Sequence, residues 1–225
     1  MRENYIEEIS ETGIKINICK SYNADEVSDI IKNVNEATKR LPEKILNHLI
    51  KNEFEIEVVS KEFIVNEVYS GFNNMSLKNK KKENKKNKND TRNGCYIWGK
   101  RCIYVILVND MNKVILHEIG HFLDYKGKMN IDYKDFKKFR WNDRLNIKHF
   151  RESYNSEFLK IYKAERGKYN RKDVFEEHYR KKYSEHFAES FSRYIRTDKK
   201  FIQEFEKSKS YIKKFIDLFE PHIIE

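Results

Sequence analysis

Long apolar runs are missing from this sequence. The longest, CIYVILV, is seven residues, far short of the roughly 20 that cross a bilayer, so no membrane span is expected. The opening stretch MRENYIEEISE also lacks the unbroken apolar segment of a secretory signal, and the sequence leaves open where the protein acts. Proline and glycine are scarce, two and seven in 225 residues. That scarcity speaks against a turn-rich sandwich or a linker-joined array and for a compact, helix-rich chain. Cys19, Cys95 and Cys102 form no C-x-x-C pair, which excludes a zinc ribbon and a thioredoxin-like site. Cys95 and Cys102 are expected as small free or buried thiols rather than as a bridge.

Positive charge, by contrast, is abundant, with a net value of +10. Its distribution matters more than its sum. Segment 78–92, KNKKKENKKNKNDTR, holds seven Lys and one Arg against Glu83 and Asp90, and so carries +6 of the total. Such a tract reads as a flexible, solvated basic loop, and no specific nucleic-acid partner is expected. The length suits one medium-sized domain over residues 1–225, expected to act as a monomer.

Apolar spacing sketches the elements. GIKINIC (13–19) alternates as a half-buried strand does. Asn23 caps a helix with Val27, Ile30, Ile31 and Val34 at helical spacing. Leu41-Pro42 ends it, and Pro42 opens a second helix, PEKILNHLIKN. FEIEVV and FIVNEV read as strands, and CYIWGKRCIYVILV as a strand or a bent pair. Beyond Gly127 the pattern is helical, through 140 and over 155–165, 173–196 and 199–219. Strands first and helices after predict an α+β fold, with a small N-terminal mixed sheet and a mainly helical C-terminal half.

The chemistry concentrates in VILHEIGHFLDYKG (114–127). With Asn109 or Asp110 as N-cap and Gly127 past the end, a helix of about four turns is expected. On it His117 and His121 stand about 40° apart, with Asp124 beside them, while Ile115, Ile119, Phe122 and Leu123 fill the opposite arc. Two imidazoles side by side on a rigid element suit a zinc ion, Zn2+. Glu118 projects to the flank, placed to take a proton from a zinc-activated water.

A third donor is available in YSEHFAESFSRYI (183–195). Glu185 and Glu189 share one helical face, with Phe187, Phe191, Tyr194 and Ile195 opposite. Glu185 would complete a two-His, one-Glu set with one position open. Glu189 is placed to accept the free N–H of a zinc-bound His, and Asp124 could serve similarly. Ala188 and Ser192 are small enough for another helix to approach closely. His186 points about 100° from the Glu185 face, and His48, His149 and His222 are expected to face solvent. The metzincin pattern fails, because Asp124 and Gly127 stand where it needs glycine and histidine.

HEIGHFLD followed by SEHFAESFSRYI resembles the anthrax lethal factor family of zinc peptidases, and within it the compact Pro-Pro endopeptidases. RLPEK, FEIEVVS and TDKKFIQEFEKSKSYIKKFI extend the likeness over about residues 11–220. The resemblance implies a zincin-like fold, His117, His121 and Glu185 as zinc ligands, and Glu118 as general base. It also implies an oxyanion-stabilising tyrosine seven residues before the ligand Glu. His178 holds that position and Tyr179 follows it, so either side chain could donate to the oxyanion. The implied reaction is hydrolysis of a protein or peptide substrate. RCIYVILV offers either an edge for that substrate to lie against or a buried central strand, and Trp98 either a subsite wall or core. Two competing classes stand beside this: a regulatory zinc-binding protein without activity, and a basic helical protein that binds nucleic acid.

Overall fold

The computed structural model describes residues 4–64, 93–96, 101–126, 153, 155–170, 179–180 and 182–219. Five strands, β1 (Tyr5–Ile9), β2 (Lys15–Cys19), β3 (Glu55–Val58), β4 (Gly94–Tyr96) and β5 (Cys102–Val105), form one sheet in the order β1-β2-β3-β5-β4. The three central strands are parallel, and β1 and β4 run antiparallel at the edges. Register puts Ile16, Ile56 and Ile103 in one row and Ile18, Val58 and Val105 in a parallel row. Because side chains alternate across a strand, these six make one continuous apolar face, and all are fully buried. The other face is mixed: Asn17 donates to Glu55 at 2.9 Å near β2, whereas Cys102, Tyr104, Val59 and Ile64 cluster near β5.

The described residues form eight α-helices: α1 (Ala24–Thr38), α2 (Glu43–Lys51), α3 (Lys61–Phe63), α4 (Met111–Lys126), α5 (Ser156–Glu165), α6 (Tyr183–Ile195), α7 (Lys199–Glu204) and α8 (Glu206–Asp217). The α+β expectation holds. Asn23 caps α1 in a reciprocal box with Glu26, and Pro42 stands at the start of α2. One core runs from the apolar sheet face through Ile30 and Val34 of α1, Ile115 and Ile119 of α4 and Phe187 and Phe191 of α6 to Ile212 of α8. None of these helices is long and apolar enough to cross a membrane. All three cysteines are free thiols.

Several elements differ from the sequence-based expectation, each for a local reason. Strand β1 was not anticipated, because it is a one-sided edge in which Glu7, Glu8 and Ile9 are exposed. The first residue of FIVNEV, Phe63, closes the short helix α3, where the Ser60 hydroxyl accepts its N–H at 3.1 Å. Residues 65–68 of that run lie outside the described residues. The expected helix over 199–219 is two helices, broken at Phe205, whose fully buried ring stacks on Phe201. The helix expected over 173–196 is interrupted: Tyr179 and Arg180 are helical, Lys182 is extended, and α6 starts at Tyr183. RCIYVILV is not an edge, since β5 lies between β3 and β4. His48 does not face solvent: it is 4% exposed and packs edge-on to Phe219 at 5.1 Å. The basic tract 78–92, Trp98, Gly127, His149, His178 and His222 lie outside the described residues.

Candidate metal centre

Helix α4 starts directly after Asp110 and presses Ile115, Leu116, Ile119, Phe122 and Leu123, all fully buried, into the core. Phe187 and Phe191 do the same for α6. The two helices meet where both are small. A Cβ on Gly120 would stand 2.8 Å from the Ala188 Cα and 3.0 Å from its carbonyl oxygen. One turn away Ser192 Oγ donates to the Lys113 carbonyl at 3.3 Å. The close approach foreseen at Ala188 and Ser192 is therefore present.

That crossing brings three donors together. His121 Nε2 lies 3.2 Å from Glu185 Oε2, and His117 Nε2 lies 3.4 Å from the same oxygen. The three groups offer ligand atoms within 4.8 Å of one another, and their side chains are partly exposed, so the cluster can be reached from outside. For ligands about 2.0–2.1 Å from a tetrahedral zinc, neighbouring donor atoms stand about 3.3 Å apart. The measured nitrogen–oxygen separations match that edge, and the donor types suit zinc.

Behind the cluster is a buried carboxylate. Glu189 is inaccessible; its Oε2 lies 3.2 Å from His117 Nδ1, and its Oε1 accepts Arg193 Nε–H at 2.6 Å. This fixes the His117 ring with Nε2 toward Glu185. Burial disfavours the His117 imidazolium, but its hydrogen bonds to Glu185 and Glu189 outweigh that and lift its pKa to about 10 in the absence of metal. Burial likewise opposes ionisation of Glu189, yet His117 and Arg193 bring its pKa down to about 2.

Glu118 is 6% exposed. Burial pushes its carboxyl above the usual range, against the opposing pull of His121 and His117, and the Tyr96 backbone amide of β4 hydrogen-bonds to it. Asp124 is fully buried and accepts both the backbone N–H of Ser153 (2.6 Å) and its hydroxyl (2.8 Å), which ties residue 153 to α4. Tyr179 is also buried, with its ring 5.6 Å from that of His117; its hydroxyl hydrogen-bonds to Glu189, and burial raises its pKa.

Residues with no role assigned from the sequence complete the surroundings. Arg193 neutralises Glu189, and its spacing four residues on along the same helix was a readable signal. A buried chain beneath α6 had none. Ser208 Oγ donates to Glu165 Oε2 at 2.5 Å, His186 Nε2 lies 2.9 Å from Ser208 Oγ, and the Tyr169 hydroxyl lies 2.8 Å from His186 Nδ1. With the Ser208 proton committed to Glu165, His186 donates through Nε2 and accepts through Nδ1. Burial keeps this imidazole neutral, its pKa down to about 4. Glu165 also accepts the backbone N–H groups of Lys207 and Ser208, capping α8 from a distant helix.

A family profile described as anthrax toxin lethal factor, N- and C-terminal domain, matches residues 2–214. No curated protein matches the chain. Among solved structures the chain is similar to the Pro-Pro endopeptidase PPEP-2 from Paenibacillus alvei, with 15% identity and a TM-score of 0.52 over 88% of this chain and 96% of that one.

Proposed function

Since the chain belongs to the anthrax toxin lethal factor family, we propose that it is a zinc-dependent endopeptidase, acting as a monomer on a protein or peptide. The observation that carries this is the convergence of His117, His121 and Glu185 at the crossing of α4 and α6. These three would hold the ion. Three protein donors among the described residues leave a place for water and substrate, as catalytic zinc sites do and four-ligand structural sites do not. Zinc, when bound, supplies Lewis acidity that acidifies a water and polarises the scissile carbonyl.

The chain's own groups do the rest. Glu118, buried and with a raised pKa, takes a proton from the attacking water and hands it to the leaving amine. Glu189 holds the His117 ring through Nδ1, and Arg193 keeps Glu189 ionised. Tyr179 stands beside His117 as the candidate donor to the oxyanion, by turning its hydroxyl from Glu189. An extended substrate would add to β4, the edge strand next to α4, through main-chain hydrogen bonds.

The test combines metal analysis with a diverse peptide library. The expected outcome is one zinc per chain in the wild type, loss of zinc in Glu185→Ala, and cleavage by the wild type that Glu118→Ala abolishes. Equal cleavage by wild type and Glu118→Ala would refute Glu118 as base.

A further inference from the structure

We propose that Gly94, in edge strand β4, is a positioning residue for Glu118: the side chain it lacks determines where the carboxylate stands. This deepens the peptidase reading and rests on Glu118 as its base. A Cβ built on Gly94 would lie 2.6 Å from Val114 Cγ1, 3.0 Å from Glu118 Cγ and 3.2 Å from Glu118 Oε1. Carbon atoms in good contact stand about 3.5–4.0 Å apart. The Glu118 side chain therefore occupies the space that any other residue at 94 would need.

The strand has little room to retreat. Gly94 pairs with Val105, and the Asn93 carbonyl accepts the Ile106 N–H at 2.9 Å. Two residues on, the Tyr96 ring packs edge-on to Phe122 of α4 with centroids 5.6 Å apart. Alternation in the strand turns Gly94 and Tyr96 to the same side, toward α4. Strand and helix are thus pinned on both sides of the glycine, and the backbone amide of Tyr96 hydrogen-bonds to the Glu118 carboxylate. One short strand clears a space for the base with residue 94 and holds it there with residue 96.

A methyl group at 94 must displace what can move: the side chains of Val114 and Glu118. A displaced Glu118 Cγ swings the carboxylate off the Tyr96 amide and away from the side of α4 that carries His117. The imidazoles themselves stay on Glu185 and Glu189. Gly94 therefore separates base placement from metal binding, and steady-state kinetics can read that separation.

The experiment compares full-length wild type, Gly94→Ala, Val114→Ala, Gly94→Ala/Val114→Ala and Glu118→Gln. Each is assayed for bound zinc, thermal stability, and kcat and KM on one peptide that the wild type cleaves in the library. Gly94→Ala is expected to keep its zinc and lose between about tenfold and a hundredfold in kcat, with KM little changed. The double variant removes the 2.6 Å contact with Val114 but not the contacts with Glu118. It should regain the thermal stability of Val114→Ala while kcat stays low. Recovery of kcat together with stability would show that Gly94 serves packing alone and overturn the assignment, as would a wild-type kcat in Gly94→Ala. If no library peptide is cleaved in a Glu118-dependent way, the peptidase reading falls and the role of Gly94 falls with it.

Discussion

At the scale of single residues, the centre is a set of opposed charges arranged so that two nitrogens and one oxygen are left for an ion. In the metal-free protein His117 lies between Glu185 and Glu189, and its pKa of about 10 means that it carries a proton at neutral pH. Zinc must displace that proton. Zinc affinity is therefore expected to rise about tenfold per pH unit between pH 7 and 9 through this group. Calorimetry in buffers of different ionisation enthalpy should show the released proton, and a binding heat independent of the buffer would contradict it. Among the described residues Glu189 reaches the three donors through His117 Nδ1, and it also accepts the Tyr179 hydroxyl. Glu189→Ala should weaken zinc binding about 10–100-fold in a competitive chelator titration. An unchanged affinity would mean that the ring is held by something else.

At the scale of elements, the decisive contact is helix against helix. Gly120 meets the backbone of Ala188 rather than a flexible side chain, so a methyl group there cannot be turned aside. Gly120→Ala should force α4 and α6 apart, cost about 1–3 kcal/mol by thermal denaturation, and weaken zinc binding, because Glu185 rides on α6. A loss of stability with full zinc affinity would show that the donors do not depend on the crossing distance. Much of this pair was legible beforehand. The 3.6-residue period set the two imidazoles on one side of α4 and the two carboxylates on one side of α6, and the small residues at 188 and 192 pointed to close packing. Strand β1 and helix α3 were not legible. A one-sided acidic edge gives almost no alternation signal, and a three-residue helix capped by the Ser60 hydroxyl is too short to show a helical period.

At the scale of the whole molecule, α6 is seated on the C-terminal helices through buried polar groups as well as apolar packing. Among the described residues, His186 couples this packing to pH. Its pKa falls from an ordinary 6.5 to about 4 by burial, so below pH 6.5 the unfolded chain takes up a proton that the folded one refuses. Its contribution is fully present above pH 6.5 and is lost as the pH falls toward 4, on the order of 3 kcal/mol. Denaturant unfolding of chelator-treated protein at pH 7 and pH 4.5 should show wild type losing more stability than His186→Gln. Parallel losses in the two proteins would remove His186 as the cause.

The sequence by itself determined the α+β class, the identities of His117, Glu118 and His121 on one helix and of Glu185 and Glu189 on another, and the apolar backs of both. The class follows from the order of strands and helices and the shared faces from the period of a helix, and neither needs a partner. It could not decide which strand forms the edge, because an apolar run such as RCIYVILV satisfies a central and an edge position equally until its neighbours are known. Only the assembled fold placed β4 outermost, set Gly94 against Glu118, buried His48 and His186, and gave Asp124 to Ser153 and Glu165 to the start of α8. The physical reason is common to all of these. Each depends on contacts between residues far apart in the chain, which local propensity and spacing do not encode.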